Sequence, residues 1–201
     1  YGQGREVNDE NCPVGALMFN EQFYKYGAYA VTDSDKIVLT FDQGYENGFT
    51  APILDTLKEK NVKAVFFLTG DYAKRNPELV KRMISEGHII GNHGMAHASL
   101  PKLSDEEVRE EIMSLHEYVN REYGYEMKYF RPPCGEYSEK SLAAVNELGY
   151  TTLVWSFAYC DWNTDDQPEV NAALERVTSA AHSGAIYLLH SVSETNCTIL
   201  P

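Results

Sequence analysis

The chain carries little positive charge, which argues against nucleic acid as its partner. Its 201 residues include 17 Lys and Arg but 30 Asp and Glu, so the formal net charge is −13. The basic residues form no block, whereas binding of phosphates needs clustered Lys and Arg. The same negative charge disfavours anionic lipid surfaces. We therefore expect neither of these partners.

Long hydrophobic runs are also absent. No stretch approaches the roughly 20 apolar residues that cross a bilayer, and residues 1–30 contain no basic start followed by an apolar run. We expect no membrane-embedded segment in this chain. A signal or anchor removed before residue 1 would leave no trace in it.

Cysteine is scarce, and its spacing excludes one kind of metal site. Cys12, Cys134, Cys160 and Cys197 lie far apart without a CxxC pair, so we expect no structural zinc site built on thiolates. One or two disulfides remain open, because the even number fits an oxidising compartment and also fits four free thiols.

Apolar residues are plentiful enough for a folded domain. They make up 43% of the chain, with 12% aromatic residues, so burial of apolar surface can offset the ordering entropy of one domain of this length. Residues 1–35 show no sustained period, which predicts an irregular N-terminal arm packed on the domain. The domain itself is placed at residues 36–201.

From Lys36 onward, short apolar runs alternate with segments of helical spacing. Six such runs predict strands, and the segments between them predict four or five helices. This alternation indicates an α/β fold with a parallel sheet and right-handed crossovers, either closed into a barrel or open and doubly wound. The predicted strands are residues 37–41, 64–68, 88–90, 129–130, 151–157 and 185–189, and the predicted helices are residues 51–60, 77–86, 104–123, 138–148 and 169–181.

Polar clusters follow the carboxyl ends of five predicted strands. In a barrel these ends converge on one face, which is where barrel active sites form. We therefore expect the five clusters to share one site. They are Asp42-Gln43-Gly44, Asn92-His93, Arg131-Pro132-Pro133, Asp161-Trp162 and His190.

His93 and His97 are spaced four residues apart after a predicted strand. If this segment turns helically, both imidazoles project from one face and suit one metal ion. The alternative is a pair of ordinary capping or surface histidines, because the spacing alone is weakly diagnostic. The position beside Asn92 favours the metal site.

Asp42 and Arg131 are candidates for a charged pair. Asp42 ends an apolar strand, where it could take a proton from a water activated by a metal, although a plain turn also tolerates Asp before Gly44. Pro132 and Pro133 fix their own φ angles, and Pro132 restricts the backbone of Arg131 to an extended conformation. A bidentate contact would hold Asp42 ionised; the alternative is an Arg paired with a surface acid.

Asp161, Trp162 and His190 form a second group of candidates. Trp162 offers an apolar face on which a sugar ring could stack, but it could equally lie in the core. His190 could be a satisfied core histidine or, paired with Asp161, a general acid. No role is assigned to the remaining histidines, which are His88, His116 and His182.

Five segments in order resemble the motifs of the polysaccharide deacetylase superfamily, carbohydrate esterase family four. The likeness spans residues 36–192, and its wording is most similar to the delta-lactam-biosynthetic peptidoglycan N-acetylmuramic acid deacetylases of spore-forming Gram-positive bacteria. The segments are Thr40-Phe41-Asp42-Gln43-Gly44, Asn92-His93 through His97, Arg131-Pro132-Pro133-Cys134-Gly135, Asp161-Trp162 and Leu189-His190.

The resemblance implies a distorted (β/α) barrel with fewer than eight parallel strands, an extracytoplasmic location and a glycan substrate. It also implies a divalent metal, zinc first, with cobalt, manganese or nickel as alternatives. The motifs imply that Asp42 is the base with Arg131 as its partner, and that His93 and His97 are the metal ligands. They also imply that His190, tuned by Asp161, is the acid and that the backbone N–H of Cys134 donates to the oxyanion. The further substrate contacts would be Trp162, Pro133 and Tyr45.

Two departures from the family pattern matter. Gln43 stands where most of the superfamily has a second aspartate, so it can offer only a neutral carbonyl oxygen and the metal site should be weaker. The chain also stops at Pro201, whereas family members usually continue with another helix and strand, so we expect a truncated C-terminal end.

The resulting hypothesis is hydrolysis of N-acetyl groups on a glycan, most directly peptidoglycan N-acetylmuramic acid, with chitin-like or N-acetylglucosamine polymers as alternatives. One rival is a glycan-binding homologue that lost catalysis through Gln43. Another is a glycoside hydrolase that uses Asp42 and Asp161 as its two carboxylates, at a separation of about 5–10 Å. This second rival leaves the histidine pair unexplained.

Overall fold

Eight short strands join in one parallel sheet in the computed structural model, which describes residue 4 and residues 6–201. The strands are β1 (Ala28–Tyr29), β2 (Val38–Gln43), β3 (Val65–Leu68), β4 (Ile89–Asn92), β5 (Tyr129–Phe130), β6 (Thr151–Leu153), β7 (Phe157–Ala158) and β8 (Ile186–His190). The helices are α1 (Val14–Phe23), α2 (Thr50–Glu59), α3 (Gly70–Arg75), α4 (Pro77–Ser85), α5 (Asp105–Tyr123), α6 (Glu139–Glu147), α7 (Val170–Ser179) and α8 (Glu194–Ile199).

The sheet curves into a half barrel with the order β1-β6-β5-β4-β3-β2-β8-β7, and the paired strands run parallel. The predicted α/β fold is therefore confirmed. The expected number of strands was wrong. The sequence pattern predicted six strands and the family resemblance implied fewer than eight, whereas the sheet has eight. Strands of two residues, such as β1 and β7, are too short to leave a readable period.

The predicted strand at residues 151–157 is interrupted. It forms β6 and β7 with a break between them. The carbonyls of Leu153 and Val154 accept hydrogen bonds from the Arg131 guanidinium, each at 3.0 Å. Because these two carbonyls bind the buried Arg131 side chain, the strand is interrupted here. The sequence pattern therefore predicted a strand that is too long.

Residues 6–35 contain a regular helix and strand, which corrects our expectation of an irregular arm over residues 1–35; residues 1–3 and 5 of that arm lie outside the described part of the chain. Residues 14–23 form α1, whose Ala16, Phe19 and Phe23 are buried against one core cluster. Strand β1 pairs with β6 at the edge of the sheet. This part of the chain thus belongs to the folded sheet and its covering layer.

The predicted helices are confirmed with ends that shift by at most two residues. For α5, the side chain of Ser104 accepts from the Glu107 N–H while the Glu107 carboxylate accepts from the Ser104 N–H, and Gly124 ends the helix in a left-handed conformation. Sequence analysis missed α3 and α8, which have six residues each. No helix in the described part of the chain is long and apolar enough to cross a bilayer.

Alternation along β2 and β3 separates the helix-covered face from the concave face. Phe41 and Phe66 stack with ring centroids 5.2 Å apart in the main core cluster. Phe67, one residue further on, packs instead beneath the Arg131 guanidinium, which in turn contacts Asp42. The concave face therefore carries the polar groups.

Candidate active site

Residues from four of the five predicted polar clusters line one cavity of about 270 Å³. Strands β2 and β8 place Asp42 directly beside His190 in parallel register, and the turn after β5 contributes Cys134. Arg131 and Asp161 are fully buried. Among the described residues, those that line the cavity are Asp42, His93, His97, Cys134, Gly135, Trp155, Trp162, Leu188 and His190.

Arg131 holds Asp42 through one of its nitrogens. Nη1 lies 2.9 Å from Asp42 Oδ1 and 2.7 Å from Thr40 Oγ1, while its other nitrogens donate to backbone carbonyls. The expected bidentate contact with Asp42 is therefore wrong. Because each guanidinium nitrogen of Arg131 donates a hydrogen bond, its orientation is fixed. Oδ2 of Asp42 accepts no hydrogen bond from Arg131.

The charged neighbours of Asp42 keep it ionised. Burial by itself acts to raise the pKa of this carboxyl, but the charge and hydrogen bond of Arg131, with His190 acting in the same direction, outweigh it, so the pKa lies below its ordinary value. A carboxylate that is buried yet ionised at neutral pH can accept a proton from a group beside its open oxygen.

His93 presents an unprotonated nitrogen toward Asp42. Its Nδ1 lies 2.8 Å from the Arg131 carbonyl oxygen, which can only accept, so Nδ1 carries the proton and Nε2 carries a lone pair. Burial lowers the pKa of His93 to about 4, although Asp42 opposes this. The contact of 3.5 Å between Nε2 and Asp42 Oδ2 is therefore not an ion pair at neutral pH.

His97 reaches the same cavity by a route that differs from our expectation. The segment after β4 is not helical, and the His97 backbone is left-handed with φ of +58°. The imidazole rings of His93 and His97 nevertheless lie with centroids 4.8 Å apart. The premise of a helical turn was wrong, whereas the two rings do lie side by side.

The donor set fits a divalent ion held mainly by two imidazoles. A metal-binding histidine usually donates its second ring N–H to a carbonyl or carboxylate, as His93 does. Gln43, the residue after Asp42, is buried; its Nε2 donates to Ser191 Oγ at 2.5 Å, and its Oε1 has no hydrogen-bond partner among the described residues. Residue 4 and residues 6–201 contain no cluster of three His, Cys, Asp or Glu side chains suited to a metal.

Asp161 is fully buried and orients His190. Its Oδ1 accepts from His190 Nδ1 at 2.8 Å, and its Oδ2 accepts from the His190 backbone N–H at 2.8 Å and from Asn196 Nδ2 at 2.5 Å. Burial acts to lower the pKa of His190, but the hydrogen bond and charge of Asp161 outweigh it and raise the pKa above its ordinary value. His190 can therefore carry a proton near neutral pH.

Two tryptophans shape the walls of the cavity. The Trp162 ring lies edge-on to His190 with centroids 5.7 Å apart. Trp155 packs against the turn at Gly135, where a Cβ would lie 2.6 Å from the indole. Such flat apolar walls suit the faces of a sugar ring.

Besides the buried Arg131 and Asp161, three further predicted site residues lie outside the cavity lining. Tyr45 is 51% exposed on the loop after β2, Pro133 is the buried first residue of the turn Pro133–Gly135, and Gln43 is fully buried. All four cysteines lie in the described part of the chain, and each is a free thiol there. The exposed Cys134 has a left-handed backbone with φ of +56°.

Sequence analysis missed several residues that support the site. Thr40 could have been found, because it precedes Asp42 by two positions and so shares its strand face. Asn196, on a helix that was not predicted, and Glu111, in the middle of α5, left no local signal. Both act through hydrogen bonds to distant residues.

Comparison with known proteins identifies the family. The family model for polysaccharide deacetylases matches residues 30–153. The peptidoglycan-N-acetylmuramic acid deacetylase PdaA of Bacillus subtilis is 41% identical over 203 residues, which cover 100% of this chain and 77% of that protein. A peptidoglycan-N-acetylglucosamine deacetylase of Bacillus cereus is 38% identical. The match covers 84% of this chain and 60% of that protein.

The solved structure of Bacillus subtilis PdaA, described as a family 4 carbohydrate esterase, superposes with a TM-score of 0.92 at 40% identity. The match covers 100% of this chain and 86% of the chain in that structure. The curved parallel sheet is thus shared along with the sequence. The chain belongs to the polysaccharide deacetylase family, carbohydrate esterase family 4.

Proposed function

We propose that this protein is a metal-dependent hydrolase that removes N-acetyl groups from a glycan, most directly from the N-acetylmuramic acid of peptidoglycan. The observation that carries the proposal is the cavity in which Asp42, paired with buried Arg131, lies beside His93 and His190. The similarity to a muramic acid deacetylase at 41% identity and to a glucosamine deacetylase at 38% supports the substrate class.

His93 and His97 would hold the divalent ion, with zinc first and cobalt, manganese or nickel as alternatives, and Gln43 Oε1 would be a weak third donor. Members of the family are in general metal-dependent. An ion bound there would supply Lewis-acid polarisation of the acetamide carbonyl and of the attacking water.

Asp42 acts as the base. Arg131 occupies Oδ1, so the water's proton goes to Oδ2 while the water oxygen forms a bond to the acetamide carbon. The lowered pKa keeps the carboxylate ready for this step. A backbone N–H near Cys134 stabilises the oxyanion of the tetrahedral intermediate.

His190 acts as the acid. Asp161 accepts from Nδ1, so Nε2–H of the protonated ring donates to the departing nitrogen as the C–N bond breaks. The products are acetate and a free amino sugar. Asp161 cannot serve as a glycosidase carboxylate, because both of its oxygens are buried and already accept hydrogen bonds.

Replacing Asp42 with Asn tests the base. We expect acetate release to fall by about 10²–10⁴-fold, the usual contribution of a positioned acid or base. Thermal unfolding and circular dichroism check that the fold survives, since the Asn oxygen can still accept from Arg131. Full activity in a folded Asp42→Asn protein would refute the assignment.

The substrate is tested by comparing acetate release from peptide-free peptidoglycan strands and from chitooligosaccharides. Faster release from peptidoglycan strands, with muramic acid as the deacetylated sugar, is expected. Preference for chitooligosaccharides would overturn the muramic acid assignment. Action on peptidoglycan would require an extracytoplasmic location, and we propose that the protein is secreted or associated with the cell envelope.

A second candidate is a catalytically weak homologue that retains glycan binding, favoured by the neutral side chain of Gln43. Replacing Gln43 with Glu keeps the size of the side chain and adds a negative charge at the end of β2, one residue after Asp42. We expect tighter zinc binding by about tenfold or more, measured by calorimetry, together with faster acetate release; Gln43→Asn is the neutral control. Unchanged affinity would show that residue 43 does not contribute to the metal site.

A further inference from the structure

His97 needs outside support to stay beside His93. Its side chain is exposed, and its backbone lies in the left-handed region, which costs free energy for a residue with a Cβ. The residues around it form no helix or strand. The position of its ring therefore depends on contacts made by neighbouring residues.

Glu111, from the middle of α5, supplies these contacts. Its Oε1 accepts from the Ala96 N–H at 2.9 Å and from the Ala98 N–H at 3.0 Å, the two residues that flank His97. Its backbone carbonyl accepts from the Met95 N–H at 3.0 Å. One helix residue thus holds three backbone amides of the loop, and the residue is only 8% exposed.

The loop is shaped to admit this carboxylate. Gly94 has φ of +83°, and a Cβ there would lie 2.5 Å from Glu111 Oε1, so any larger residue would displace the carboxylate. Asn92 ties the start of the loop to the same helix. Its Oδ1 accepts from the Gly94 N–H at 2.9 Å and its Nδ2 donates to the Ile112 carbonyl at 2.8 Å.

We propose that Glu111 is a positioning residue for the metal site. Its carboxylate sets the left-handed turn at His97 and so fixes the spacing between the His97 and His93 rings. The role depends on the reach of the acceptor oxygen and not on its charge. This inference rests on the proposed function, in which the two histidines share one divalent ion.

Calorimetry on metal-free protein measures the affinity for zinc. The variants change either the length of the side chain at position 111 or its charge. Glu111→Ala and the shorter Glu111→Asp should weaken zinc binding by about 10–100-fold, the usual effect of losing a group that orients a ligand. Glu111→Gln keeps the oxygen in place and should retain affinity close to the wild type. The exposed neighbour Glu110, replaced with Ala, is the matched control.

A second measurement needs no metal. The ¹³Cα and ¹³Cβ chemical shifts of His97 report its left-handed backbone; they should change in Glu111→Asp and Glu111→Ala and persist in Glu111→Gln. Unchanged His97 shifts in a folded Glu111→Asp protein, or wild-type zinc affinity in that variant, would overturn the proposal. Absence of zinc binding by the wild type would count against the proposed metal site instead, and the shifts would still decide the role of Glu111.

Discussion

Asp161 illustrates how one buried carboxylate controls a neighbouring residue. It accepts hydrogen bonds from the ring and the backbone of His190 and from Asn196. Together with the charge of Asp161, the ring contact raises the pKa of His190 against the opposing effect of burial. His190 therefore holds its proton to higher pH than an ordinary histidine.

Replacing Asp161 with Asn should shift the pH profile of kcat/KM. An acid must be protonated, so activity falls as pH rises through the pKa of His190. Without the carboxylate this pKa falls, and the alkaline limb should move to lower pH. An Asp161→Asn profile that overlays the wild type, measured by acetate release between pH 5 and 9 on folded protein, would contradict this role.

At the scale of the elements, β3, β4 and β5 pack tightly behind the site. The Phe67 ring lies with its centroid 4.3 Å from the Arg131 guanidinium carbon. On β4, a Cβ at Gly91 would lie 2.4 Å from the Phe67 ring. The glycine thus leaves room for the ring, and the ring supports the arginine that holds Asp42.

Replacing Gly91 with Ala should destabilise the fold by about 1–3 kcal/mol, the usual cost of overpacking a core. Urea unfolding measures this free energy. Gly44→Ala is the control, since its Cβ would meet nothing within 4 Å and its φ is not in the left-handed region. Equal stability of the two variants would mean that Phe67 moves aside without cost.

At the scale of the whole molecule, buried neutral histidines couple stability to pH. Burial lowers the pKa of His88, whose Nδ1 accepts from the Ala64 N–H, and lowers that of His93 to about 4. A folded pKa below the unfolded value of about 6.5 gives stability that is present above pH 6.5 and lost as pH falls. His190, with its raised pKa, acts in the opposite direction.

We expect the free energy of unfolding of the metal-free protein to decrease from pH 7 to pH 5, because the pKa of His93 is lowered far, to about 4, and that of His88 is lowered as well. Below about pH 4, Asp42 adds to the loss, since its pKa is also lowered. Urea unfolding at several pH values measures the trend. The slope should be smaller in His88→Asn, which keeps an acceptor for Ala64, and a stability that rises toward pH 5 would contradict the argument.

The alternation of strands and helices, and the positions where chemistry could occur, were readable from local sequence patterns alone. Periods of two and 3.6 residues are local, so they were readable for β2 and for α5 with its Ser104 capping box. The strand-end positions of Asp42 and His190 followed from the same pattern, because parallel strands bring their carboxyl ends to one edge.

How these residues contact one another depends on packing between elements that are distant in the sequence. The left-handed turn at His97 depends on Glu111, which lies 13 and 15 residues from the two amides it binds, and the orientation of His190 depends on Asp161 and Asn196 across two elements. Such hydrogen bonds join residues whose spacing in the sequence carries no period. Packing of α5 and α8 against the sheet brings them within reach, and no local pattern encodes that distance.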